Sequence, residues 1–146
     1  MGHEELVYLV QTDTTIGFAS KNSDKLDRVK GRPAGKPYLQ TVARVKEIAG
    51  CRVPKTLRKT VRRATKTTFV YPDGMARRLV WTGEYAEFLK NKGPMFSTSA
   101  NRSGHDFEEE WAKVQCDVIV YTPAGFSQKS PSSILKMAKN KVTQLR

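Results

Sequence analysis

Cysteine is scarce in this chain. Cys51 and Cys116 are its only two, far apart and without Cys-x-x-Cys or Cys/His spacing, which argues against a zinc site or a disulfide framework and leaves two half-buried thiols. Long apolar runs are missing as well. With 38% apolar residues, no stretch approaches the roughly 18 to 20 residues that cross a bilayer, and no signal-peptide apolar segment is present. Met1-Gly2 is followed by Leu6 where a myristoylation signal needs Ser or Thr. A soluble, cytoplasmic protein without membrane contact is expected. Histidine is limited to His3 and His105, neither beside a residue that would make it a general base, so both read as surface groups. Acid is the rarest charge: 14 Asp and Glu stand against 26 Lys and Arg, for a net charge of +12, and no acid lies between Cys51 and Val70.

The cations that remain are unevenly placed. Arg52, Lys55, Arg58, Lys59, Arg62, Arg63 and Lys66 put seven positive charges into 15 residues. Such a field concentrates polyanions and speeds their arrival. Lys55 to Arg63 fits a helix preceded by Pro54, with Leu57 and Val61 as its apolar stripe. Lys55, Arg58, Lys59, Arg62, Arg63 and Lys66 then form a cationic stripe for RNA phosphates. Double-stranded or folded RNA, such as tRNA, is the expected ligand, because the segment carries no aromatic residue on which a single-stranded base could stack.

At 146 residues the chain reads as one domain, residues 1–146, able to bury roughly two-thirds of its unfolded surface. Leu6 to Val10 suits a buried strand, and Gln11 to Gly17 is a polar turn at its end, a usual place for ligand contacts. Ser23 is placed to cap a helix from Asp24 to Val29, which delivers Lys30 and Arg32 just past its end. Tyr38-Leu39 reads as strand and Thr41 to Ala49 as helix, with Gly50 as its C-cap. Further strands are expected at Thr67 to Tyr71, Leu79 to Trp81, Val118 to Tyr121, Ser132 to Met137 and Val142 to Leu145, the last two about a turn at Lys139-Asn140. Thr82 begins a helix carrying Tyr85, Phe88 and Leu89, and Asp106 with Glu109 makes a capping-box pattern ahead of Trp111. Ser97 to Gly104 and Pro123 to Pro131 read as loops. This mix of strands and helices implies an α/β or α+β domain with a mixed sheet.

Four segments carry the chemistry. Lys30-Gly31-Arg32-Pro33 offers two cations for phosphate oxygens, and Ser97-Thr98-Ser99-Ala100-Asn101-Arg102-Ser103-Gly104 offers small hydroxyl and amide groups that can bond a polar ligand without crowding it. Thr12-Asp13-Thr14-Thr15-Ile16-Gly17 and Pro131-Ser132-Ser133-Ile134 complete the set. In order and residue type these segments resemble the Sua5/YciO/YrdC family, whose signatures are Pro-Thr-Asp/Glu-Thr-x-Tyr-Gly, Lys-x-Arg-Pro, Ser-x-Asn-x-Ser-Gly and Pro-Ser-Thr-Ile. The resemblance runs from about Leu6 to Arg146.

The resemblance implies a YrdC-like single domain, a twisted mixed sheet flanked by helices around a basic concave cleft. It also implies a nucleotidyltransferase, an L-threonylcarbamoyladenylate synthase, which joins ATP, L-threonine and bicarbonate with release of pyrophosphate. Mg²⁺ would accompany ATP, with no tightly bound cofactor and no resident metal. The threonylcarbamoyl transferase proteins and tRNA would be downstream partners, in N6-threonylcarbamoyladenosine modification. By family position Lys30 and Arg32 are the catalytic cations. Lys30, Arg32, Lys36, Ser99, Asn101, Ser133 and Arg146 would hold ATP, and Thr12, Thr14, Arg78 and Ser132 would hold threonine. The chain departs from the pattern mainly on the amino-acid side. Gln11 replaces a proline, Ile16 replaces an aromatic, and Ala64 to Thr68 replaces Pro-Gly-Pro-x-Thr; in Gly74 to Val80 only Arg78 keeps its slot. Two alternatives follow: a non-catalytic RNA-binding module of the same family, and a paralogue that adenylates another carbamate or acid.

Overall fold

The computed structural model describes residues 6–32, 37–48, 53–138 and 141–146. Its elements begin with β1 (Tyr8–Gln11), β2 (Ile16–Ser20), α1 (Ser23–Lys30) and β3 (Leu39–Val42). Short 3-10 turns at Val45–Ile48 and Lys55–Leu57 precede α2 (Arg58–Arg63), β4 (Thr67–Val70), β5 (Ala76–Leu79) and α3 (Glu84–Lys92). The chain continues through β6 (Met95–Ser99), α4 (Glu109–Gln115), β7 (Val118–Ile119), β8 (Ser133–Ala138) and β9 (Lys141–Gln144).

Among the described residues nine strands make one mixed sheet in the order β7-β1-β2-β6-β3-β5-β4-β8-β9, flanked by four helices. Three pairs are parallel, β1 with β7, β3 with β5 and β4 with β8, and the other five are antiparallel. Of the two classes that the strand and helix patterns leave open, this is the α/β one, as the family resemblance implies. Among the described residues no helix is long and apolar enough to cross a membrane.

Strand β1 explains why its sequence is apolar without alternation. Tyr8 and Val10 pack with Tyr85, Ala86 and Leu89 of α3 on one face, while Val7 and Leu9 pack with Leu26 of α1 and Ala112 of α4 on the other. A strand covered on both faces has no solvent side to mark with polar residues. A third cluster, with Val42, Leu57, Val61, Phe69, Leu79 and Met137, seats α2 on the far half of the sheet.

Several local expectations are corrected. Ser97 to Ser99 is not loop but the end of β6, pairing with Gly17 to Ala19 of β2, so a hydroxyl-rich stretch is held as strand by its neighbours. Thr41 and Val42 are strand as well. Val42, Val45 and Ile48 have helical spacing, yet Thr41 Oγ1 bonds Tyr85 and the Met95 carbonyl, and the Glu47 carboxylate accepts from the amides of Ala43 and Arg44, turning the chain. Ala49, Gly50 and the turn at Lys139-Asn140 lie outside the described residues. The N-cap of α1 is Asn22, whose side chain accepts from the Asp24 amide at 3.0 Å. The capping box before Trp111 is not formed, since Glu108 is the N-cap of α4 without a side-chain bond and Asp106 accepts from Gln128 instead. Cys116 is free and half-buried, with its thiol pKa raised by burial. Cys51 and His3 lie outside the described residues, and His105 is exposed.

Candidate functional site

The β1–β2 hairpin builds the floor of a cleft. Thr12 Oγ1 donates to the Thr15 carbonyl and accepts from the Thr14 amide at 3.2 Å, so the hydroxyl reinforces the backbone bond from the Thr12 amide to the Thr15 carbonyl that closes the turn. Gly17 follows, where a Cβ would stand 2.9 Å from the Thr98 carbonyl and 3.2 Å from Thr12 Cγ2. Only glycine lets β2, β6 and the turn approach so closely. The Lys129 amide donates to Thr15 Oγ1 and the Ser127 amide to Gln11 Oε1, tying the loop before Pro131 to this hairpin.

The resulting cleft has a volume of about 230 Å³. It brings together Thr12, Thr14, Arg32, Arg78, Ser99, Ser132 and Arg146 from six separate chain segments, and among the described residues no Asp or Glu lines it. Its three guanidinium groups are held differently. Arg32 lies over the Tyr38 ring, 5.2 Å from its centroid, and makes no ion pair among the described residues. Tyr38 is itself fixed by donating to Asp27 at 2.8 Å, and burial with that carboxylate pushes its pKa up to about 12. Arg78 is 3% exposed and bonds Asp13 through Nε at 3.1 Å to both carboxylate oxygens and through Nη2 at 3.0 Å. Arg146 donates through Nε to the Ser132 carbonyl at 2.9 Å, and its backbone pairs with Ile134. Ser132 Oγ also bonds Thr68 Oγ1 at 2.7 Å.

Other candidate residues stand beside the cleft rather than in its wall. Lys30 is buried, and its Nζ donates to the Ser99 carbonyl at 2.9 Å and to the Asn101 carbonyl. Burial and the nearby Arg32 charge push its pKa down to about 8. Gly31, in the left-handed conformation at φ 66°, ends α1 and separates the two cations, so Lys30 turns inward while Arg32 faces the cleft. Asn101 donates from Nδ2 to the carbonyls of Arg102 and His105, holding its own loop. Ser133 is exposed, and its amide donates to the Lys66 carbonyl. Lys36 lies outside the described residues. Lys55, Arg58, Lys59, Arg62, Arg63 and Lys66 are all exposed, but α2 ends at Arg63 and Lys66 sits in a turn at φ 50°, so the stripe is shorter and more bent than a single helix would make it.

Sequence reasoning missed the supporting residues. Asp13 stands inside a quoted motif, and an acid amid so many cations was the available signal for an ion pair. Tyr38 and Thr68 carry no local signal, because Tyr38 meets Asp27 across the packing of α1 and Thr68 meets Ser132 through the pairing of β4 with β8.

The arrangement of strands, helices and cleft is a Sua5/YrdC-like fold. Sua5 of P. abyssi superposes on 97% of this chain at a TM-score of 0.81 with 16% identity, the match spanning 52% of Sua5. Its complex with L-threonine gives a TM-score of 0.76 at 17% identity, over 97% of this chain and 50% of that one. YciO of E. coli matches 97% of this chain and 82% of its own at a TM-score of 0.74 and 16% identity. Full-length HypF in a phosphate- and nucleotide-bound form matches at 0.73 and 15% identity, over 97% of this chain and 26% of its own. No family model matches the sequence. Among curated proteins the chain is 26% identical over 123 residues to the uncharacterized MG259 homolog of Mycoplasma pneumoniae, covering 76% of this chain and 26% of that protein. The chain thus spans about a quarter of that relative and about half of Sua5.

Proposed function

We propose that the cleft binds ATP together with a small amino acid and forms a threonylcarbamoyl-adenylate-type product, with L-threonine and bicarbonate as the other substrates. The observation that carries this reading is the convergence of Arg32, Arg146 and Arg78 with the hydroxyls of Thr12, Ser99 and Ser132 in one cleft that, among the described residues, no Asp or Glu lines. Two proteins of the same fold have been solved with ligands of these classes, Sua5 with L-threonine and HypF with phosphate and nucleotide.

The chemistry suits the residues. Threonine amine and bicarbonate condense to a carbamate with loss of one water, the carbamate oxygen attacks the α-phosphorus of ATP, and pyrophosphate leaves with its electron pair. No side-chain nucleophile is needed. Catalysis is orientation of the two anions and stabilisation of charge on the departing pyrophosphate. Arg32 and Arg146 hold phosphate oxygens, while Lys30 fixes the Ser99–Asn101 segment and adds positive potential behind it. Arg78, aimed by Asp13, meets the amino-acid carboxylate beside Thr12, Thr14 and Ser132. Magnesium enters on the triphosphate as part of the substrate. Purified protein mixed with ATP, L-threonine and bicarbonate is expected to release pyrophosphate only when all three are present. Release that ignores threonine, or none at all, would overturn the reading.

A second reading, an RNA-binding module on this fold, draws on the six exposed cations between Lys55 and Lys66, none of which makes an ion pair among the described residues.

A further inference from the structure

Beside the ATP cleft lies a cavity of about 410 Å³ lined by Asp13, Ala64, Thr65, Lys66, Leu79, Val80, Trp81 and Thr82. Trp81 is 39% exposed, a high value for so large an apolar ring. In sequence it stands well apart from the basic segment; in the fold it faces Thr65 and Lys66, the end of that segment. The segment leads to it directly. Val61 and Leu57 anchor α2 in the core, so Arg58, Lys59, Arg62 and Arg63 are displayed outward, and the positive φ of Lys66 turns the chain at the cavity's edge.

The cavity and the cleft share a wall. Asp13 lines the first, and its carboxylate holds Arg78, which lines the second. On the other side the Lys66 carbonyl accepts from the Ser133 amide, one residue from Ser132 in the cleft.

We propose that this surface binds single-stranded RNA, with phosphates along Arg58 to Lys66 and one base stacked on Trp81. An unpaired base has a free π-face for the indole, and a neighbouring phosphate has Lys66. Base-paired RNA offers the phosphates but buries its faces, so Trp81 selects the unpaired strand. The Thr65 and Thr82 hydroxyls give a 2′-hydroxyl hydrogen-bonding partners that DNA cannot use. This departs from the expectation of duplex RNA, which rested on the lack of an aromatic within the segment itself. It stands apart from the ATP reading, since the two surfaces are separated by the Asp13–Arg78 pair.

The test is fluorescence anisotropy with a labelled RNA of about 12 nucleotides, within the footprint of small single-strand binders, set against its duplex and the DNA of the same sequence at low salt. The single-stranded RNA is expected to bind most tightly, with affinity falling steeply as salt rises. Trp81→Ala is expected to weaken it about 5- to 100-fold, the loss of one stacked base, and Trp81→Phe to recover most of that loss. Arg62→Glu with Arg63→Glu is expected to abolish binding with ATP affinity unchanged. Unfolding midpoints of all three variants establish that each is folded. The proposal is overturned by duplex or DNA binding as tight as the RNA, by no binding at low salt, or by a folded Trp81→Ala that binds like the wild type.

Discussion

Arg78 is the most deeply buried cation of the cleft, and its charge is balanced by Asp13 alone in the described structure. A buried guanidinium stripped of its counter-charge is strongly destabilising, by about 3–5 kcal/mol when one partner of such a pair is removed. Asp13→Asn is therefore expected to lower the unfolding free energy by an amount of that order, read as a fall in the urea midpoint, with Asp13→Glu less affected. A midpoint unchanged in Asp13→Asn would mean that Arg78 is held by something else. Lys30 makes a different prediction. Its pKa is about 8 in the folded protein against an ordinary 10.5, so between these values the unfolded chain binds more protons than the folded one. The sign follows: the cost of burying its charge is fully present below pH 8 and is relieved as pH rises toward 10.5. Over the same rise the ammonium loses its charge, and ATP binding is expected to weaken above about pH 8. Lys30→Met should flatten both trends, read by denaturation and by ATP titration against pH.

At the scale of elements, the tight approach of β2 to β6 decides the shape of the cleft. Gly17→Ala places a methyl 2.9 Å from a backbone carbonyl that cannot swing aside, an overpacking cost of about 1–3 kcal/mol. A matching fall in the denaturation midpoint, with weaker ATP binding, is expected. The same two strands show what the sequence could and could not reveal. Leu6 to Val10 is legible as buried strand because it is apolar throughout, and the helix carrying Tyr85 and Leu89 is legible because its apolar face repeats. Ile16–Ser20 and Met95–Ser99 are hidden, since Gly17 and the serines are poor strand markers and pairing across the sheet makes these segments strands. Candidate site residues were legible as motifs. Their division into cleft-lining Arg32 and inward-facing Lys30, two residues apart, depends on the left-handed turn at Gly31. The partners Asp13, Tyr38 and Thr68 needed three dimensions.

At the scale of the whole molecule, a net charge of +12 falls on two surfaces with different geometry. One is a cleft where cations converge on hydroxyls; the other is the exposed cationic side of α2 that leads to the Trp81 cavity. The first suits a compact polyanion and the second an extended one. The measurement that bears most directly on the cleft is calorimetric titration of ATP into the wild type, Arg32→Ala and Arg146→Ala. Each variant loses a charge-assisted contact to phosphate worth about 1.5–3 kcal/mol, so affinity is expected to fall roughly ten- to a hundredfold in each, with unfolding midpoints near the wild type. Wild-type affinity in both folded variants would place ATP elsewhere and contradict the account.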